Sequence, residues 1–383
     1  MTNSCKQKSI EKTTGGWRSS AASATRWKAP LALLILAGLL ACRVSAADGY
    51  LPLTSSNRCH VSDLVLIYQG GVKRLDWTPA QLAPYVTWKN PASAREQWFF
   101  DGFLFIEFND GRGRDYAVGY GGKSARQTEW RWLLERNFSK TNALGALDAV
   151  VGKAAQRLGA PPVRRKVVLT LPEPIHGQTD WGAIAGRSLD FNRAADRIAA
   201  CEWQMDQAQA LWREAKFQNL ELAGFYWVAE QASKAQDILP AIGKAVRKRG
   251  FSFYWIPYWR ANGAAQWRSL GFDYAWQQPN HFFHPDKVPD SRLGEATAFA
   301  RAHGLGLEFE ADSRAISEAK AFRPRFYEYL KAFTRDGVQS GSSVAYYEGG
   351  GALLEMAESQ DPNARALYNA LGKWVTERQS RLH

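Results

Sequence analysis

The amino-acid sequence predicts a single closed (β/α)8 barrel. Three observations carry the prediction. Eight short runs rich in β-branched and aromatic residues recur after residue 60, helix-like stretches separate most of them, and the eight units fill about 310 residues, the span of one such barrel.

The runs lie at 64–69, 102–108, 167–171, 220–228, 253–258, 274–277, 306–310 and 344–347. Helical patterns stand at 128–136, 145–158, 193–216, 232–248, 291–303 and 317–335. A last one, 361–378, opens on Asp361 as N-cap with Pro362 in the first helical position. The first-to-second and fifth-to-sixth connections hold only short candidates, at 78–86 and 263–270. An open doubly wound sheet would alternate in the same way. It is disfavoured because no GxGxxG turn follows the first run, and Gly119-Tyr120-Gly121-Gly122 lacks the Gly-Lys-Ser/Thr ending of a phosphate loop.

Residues 1–46 read as an export address and 47–383 as the barrel domain. The stretch 30–41 is an apolar run of signal-peptide length preceded by Arg26 and Lys28, and it is short for a membrane span. Leu39-Leu40-Ala41-Cys42 resembles a bacterial lipobox, with Leu40 a poor fit, and would place a lipid anchor on Cys42. Val44-Ser45-Ala46 offers ordinary cleavage before Ala47. The expected destination is therefore the bacterial envelope or beyond: periplasmic, secreted or lipid-anchored. Cys59 and Cys201 remain in the exported part. An oxidising compartment permits a disulfide between them, and two buried thiols are the alternative.

Hydrophobic residues make up 45% of the chain, which excludes a disordered protein. The net charge is +12, but seven basic residues against Glu11 sit in 1–46 alone. No dense Lys/Arg stripe follows, so nucleic acid is not an expected partner. Cysteine spacing for zinc is lacking, and His281 and His284 stand three apart without an obvious third ligand; no metal and no cofactor are expected.

Barrel chemistry sits at the carboxyl ends of the strands, where the loops converge on one mouth. Several runs here end in acids or amides: Glu107 on the second, Glu173 after the third, Glu230 after the fourth, Gln277, Gln278 and Asn280 after the sixth, and Glu308, Glu310 and Asp312 on the seventh. In a regular strand the last three share one face, and stacked carboxylates repel and lose hydration unless something uses or neutralises them. Trp227, Trp255 and Tyr258 are candidates to stack on sugar faces, with about half of such aromatics expected to pack between barrel and helices instead. The amides suit hydroxyl contacts.

Cleaving a glycosidic bond needs one protonated carboxyl on the leaving oxygen and one ionised carboxyl beneath the anomeric carbon. Glu230 and Glu310 fall where the large clan of retaining barrel glycosidases carries its acid/base and its nucleophile, at the ends of the fourth and seventh strands. The likeness implies those roles for them. One departure stands out: many members of that clan carry Asn directly before the acid/base, and here that residue is Ala229.

The blocks 64–70 (LVLIYQG), 98–107 (WFFDGFLFIE), 219–230 (NLELAGFYWVAE), 255–258 (WIPY), 271–283 (GFDYAWQQPNHFF) and 304–312 (GLGLEFEAD) together resemble a family of secreted bacterial proteins known as domain of unknown function 4855. The resemblance implies a glycosidase-like barrel and brings no substrate of its own. The reading that follows is a glycoside hydrolase acting on a polysaccharide or oligosaccharide through Glu230 and Glu310. Its rival is a non-catalytic carbohydrate-binding or polysaccharide-export accessory protein on the same scaffold.

Overall fold

The computed structural model describes residues 49–380. The apolar run 30–41, Cys42 and the alternative cleavage site at 44–46 lie outside the described residues. Eight parallel strands close into a barrel: β1 (Asp63–Tyr68), β2 (Gly102–Ile106), β3 (Arg165–Leu171), β4 (Leu220–Trp227), β5 (Ser252–Trp255), β6 (Tyr274–Gln277), β7 (Gly306–Glu310) and β8 (Val344–Tyr347). Each pairs with its sequence neighbours, and β8 closes on β1 with Asp63 opposite Val344. All eight predicted strands are present. β5 stops at Trp255, two residues before Pro257, which has no N–H to give a neighbouring strand.

The helices longer than four residues are α1 (Pro79–Val86), α2 (Gln127–Asn137), α3 (Ala143–Leu158), α4 (Ala194–Ala215), α5 (Leu239–Lys248), α6 (Arg292–His303), α7 (Ala319–Arg335), α8 (Ala352–Glu358) and α9 (Pro362–Gln379). Thr78 and Gln81 close a reciprocal capping box on α1, which secures this short helix. Asp361 caps α9 through Asn363 N, as predicted. Two helical expectations shrink. The stretch 232–248 becomes helical only at Leu239, where Pro240 suits a first turn, and 263–270 holds a single 3-10 turn at Ala264–Gln266.

Side chains alternate across the wall. Phe309 packs on Phe326 and Tyr329 of α7, so Glu308 takes the opposite, inward face. At the floor of the barrel Trp276 donates to Ser343 Oγ (3.0 Å), and Ser343 donates to Val61 O (2.7 Å). Gly306 makes room for that indole: a Cβ there would lie 2.2 Å from Trp276 Cδ1. Nearby, the Asp63–Arg378 ion pair is wholly buried at 3.1 Å and ties α9 to the β1–β8 seam. A second, smaller apolar cluster around Trp130, Trp181 and Phe191 supports the long loops that follow β2 and β3. Cys59 and Cys201 are both buried free thiols, so the permitted disulfide gives way to its alternative.

Candidate active site

The residues that converge at the carboxyl end of the barrel come from β4, β6 and β7. Glu230 lies three residues past the end of β4, half-buried, and its Oε1 accepts from Gln278 Nε2 at 2.8 Å. Gln278 follows β6 and also donates to Ile256 O, which fixes its amide orientation. Burial raises the Glu230 pKa, and the Gln278 hydrogen bond acts against that rise. A raised carboxyl is what a proton donor at neutral pH requires.

Glu310, the last residue of β7, is fully buried. Asn280 has a positive φ of 49°, a region asparagine tolerates better than most residues. This turn brings successive backbone N–H groups onto the carboxylate: Asn280 N to Oε1 and His281 N to Oε2, each at 3.1 Å. The Asn280 amide adds a contact at 3.3 Å and the Tyr329 hydroxyl donates to Oε2. Burial pushes the Glu310 pKa up to about 7, with these donors pulling it down. Gln278 Oε1 accepts from Asn280 Nδ2 at 3.0 Å. Glu230 and Glu310 are thus the two ends of one hydrogen-bonded chain, Glu230–Gln278–Asn280–Glu310.

Glu308 lies one pleat deeper and is 2% exposed. Burial raises its pKa well above the carboxylate range, and the negative charges of Glu310 and Glu230 raise it further. Its Oε1 has no hydrogen-bond partner among the described residues. Glu308 therefore holds its proton while Glu310, with four donors, is the better anion of the two.

Other predicted contacts are distributed differently. Tyr258 is exposed at the rim, where its hydroxyl donates to Gln231 Oε1 and its N–H to Glu230 O. Glu107 is buried against Arg74, which meets both carboxylate oxygens (2.8 and 3.2 Å) and stacks on the Tyr68 ring at 4.5 Å. Asp312 is gripped by Arg314. Trp227 and Trp255 require correction as sugar platforms. Both are fully buried on the outer face of the wall: Trp227 meets Phe253 edge-on, and Trp255 stacks on Phe272 and donates to Ala229 O. Gln277 is likewise turned away, with its amide spent on Pro257, Tyr258 and Gln278 carbonyls. Glu173 is a structural tie: it is buried and accepts from Val118 N (2.9 Å), joining the loops after β2 and β3.

Sequence reasoning missed Tyr68, Tyr347 and Arg74. Glu230 lies within electrostatic range of the Tyr68 and Tyr226 hydroxyls, and Glu308 within range of Tyr226 and Tyr347. Strand parity could have found Tyr68, which shares a face with Leu64 and Leu66. Arg74 lies in a loop and had no pattern to reveal it.

These acids make stability depend on pH. Burial raises Glu310 and also Glu348, each to about 7, while the Glu348 carboxylate anchors the start of α8 through Gly350, Gly351 and Leu353 N–H groups. The folded state holds these protons more tightly than the unfolded chain. The stability this contributes is complete below about pH 4.5 and is lost as pH rises through about 7. His60 and His281, lowered by burial, act in the opposite sense around pH 6.5. Glu230 and Glu308, also raised by burial, make four such acids against two histidines, so denaturation followed by tryptophan fluorescence should show stability lower at pH 8 than at pH 6, by roughly 1–3 kcal/mol. Equal or greater stability at pH 8 would contradict the upward shift of these buried carboxyls.

A closed parallel barrel with a carboxylate-bearing carboxyl-terminal mouth is the class that fold and site define. The family described as "Domain of unknown function (DUF4855)" matches residues 63–373, and the chain belongs to that family. No curated protein matches the chain. Among solved structures it is similar to an endocellulase from Pyrococcus horikoshii in complex with cellotetraose (10% identity, 82% of this chain and 92% of that one, TM-score 0.41). It is also similar to the GH18 chitinase ChiB of Flavobacterium johnsoniae (9%, 83% and 94%, 0.40) and to the tryptophan synthase alpha-subunit of Pyrococcus furiosus (10%, 83% and 98%, 0.37). Barrels host unlike chemistries, so function has to be argued from the side chains.

Proposed function

We propose that the protein is a glycoside hydrolase acting on a polysaccharide or oligosaccharide, with Glu230 as acid/base and Glu310 as nucleophile. The observation that carries this reading is the hydrogen-bonded chain joining the two acids through Gln278 and Asn280. It links two carboxyls at one mouth, Glu230 held by a single amide donor and Glu310 by four donors, as the paired acids of glycosidic cleavage require. Glu308, held protonated below them, keeps the seventh strand from carrying two negative charges side by side. Tyr258 at the rim is an aromatic available for a sugar face.

One observation favours a second reading, a non-catalytic carbohydrate-binding or export-accessory barrel: both oxygens of Glu310 are already occupied. Within the enzymatic reading the same fact brings Glu308 forward, because it has an oxygen free. Aryl glycosides with a good leaving group separate these. Glu310→Gln should abolish their cleavage and Glu308→Gln should leave most of it. The reverse pattern would transfer the nucleophile to Glu308, and cleavage unchanged in both variants would remove the mechanism.

Export belongs to the same proposal. Mass spectrometry of protein recovered from the cell envelope or medium should find a chain starting at Ala47 or at a lipidated Cys42. An intact Met1 terminus there would contradict it.

A further inference from the structure

We propose that the opposite, amino-terminal end of the barrel carries a second binding site, for a small flat molecule bearing a carboxylate or phosphate. A cavity of about 480 Å³ opens there between the start of β3 and the end of α9, within the usual range for small-ligand pockets. Leu158, Pro162 and Val163 give it an apolar wall.

Two donors on residues that line it, Arg165 Nε and Trp98 Nε1, are left unsatisfied by the protein. Arg165, the first residue of β3, is 2% exposed, and its guanidinium lies 4.6 Å from the Trp98 ring centroid. It donates Nη1 to Val163 O, while its Nε has no partner, and among the described residues it forms no ion pair. The buried Trp98 Nε1 has no partner either. A buried guanidinium Nε–H and a buried indole N–H left without acceptors are both costly.

The nearby acids are already engaged. Asp101 accepts from Ser62 N and Asp63 N at 3.0 and 2.8 Å, Asp63 holds Arg378, and Glu96 at the rim is bridged by Arg157. Arg165 and Arg378 balance Asp63 and Asp101 in the buried layer. The rim then adds Arg95 and Arg157 against Glu96 alone, so the cavity carries a surplus positive charge. Unpaired donors, a surplus cation and a planar indole–guanidinium stack together select a flat ligand with an anionic acceptor group. Burial lowers the Arg165 pKa to about 10, which leaves the group charged at neutral pH.

The site is independent of the carboxylates at the other mouth. Its test is an NMR titration of the purified protein with phenyl phosphate and benzoate, with benzyl alcohol as the neutral control. The readout is the Trp98 indole N–H resonance, identified by its loss in Trp98→Phe. The expected result is a saturable shift with the two anions and none with the alcohol. Arg165→Gln should weaken binding at least about tenfold. Should that variant fail to fold, Arg157→Ala, at the half-exposed rim, frees the Glu96 charge and should weaken binding several-fold. A non-saturating response to the anions, an equal response to benzyl alcohol, or unchanged affinity in the folded variants would overturn the proposal.

Discussion

Replacing Glu230 by Gln is expected to lower hydrolysis of an unactivated glycosidic bond by about 10³-fold, within the range that general acid catalysis contributes. The substitution removes the transferable proton and little else, because the carbonyl of the new side-chain amide can still accept from Gln278 Nε2. Folding and KM should change little. Two signatures separate a lost acid from a damaged site. The loss should shrink sharply on aryl glycosides whose leaving group needs no protonation, and the alkaline limb of the pH–rate profile should disappear with the carboxyl that caused it. Steady-state kinetics on a matched pair of substrates measures both. An equal loss on activated and unactivated substrates would deny Glu230 the acid role.

The largest expected effect on stability lies at the other end of the barrel. Arg378→Met should destabilise the fold by about 3–5 kcal/mol, the usual cost of breaking a buried ion pair from one side. Arg378 and Asp63 are both wholly buried, and Arg378 also donates to Ser62 O and Ser342 O around the closing seam. Removing the guanidinium strands the Asp63 carboxylate, whose remaining donors are Tyr346 and Gln379, and takes a donor from Ser342 O, while Ser62 O keeps Val344 N. Urea denaturation gives the number. A change below about 1 kcal/mol would show that the seam closes without this pair.

The barrel was legible because its signal is local and repeated: each strand is a short apolar run, and eight such runs admit few arrangements. Glu230, Gln278, Asn280 and Glu310 were legible for a related reason, since each stands at or just past a strand end and the fold brings strand ends together. The aromatics were harder to read. Trp227 and Trp255 stand as close to strand ends as Glu230 does, but the strand pleat turns them outward, and an indole packs under a helix as readily as it lines a groove. The tie made by Glu173 was not legible because its partner, Val118 N, comes from a distant loop. Arg74, Tyr329 and the Arg165 cavity depend on long-range packing for which no spacing rule exists. α8 was missed since its seven residues show too few turns for a helical period to emerge.

The most direct test of the catalytic reading is reducing-end release from a panel of polysaccharides by the purified protein, run beside Glu230→Gln and Glu310→Gln. The expected result is release from at least one polymer, lost in both variants while their thermal unfolding remains cooperative. Release that persists undiminished in either variant, or none from any polymer under conditions where the protein still binds one, would contradict it.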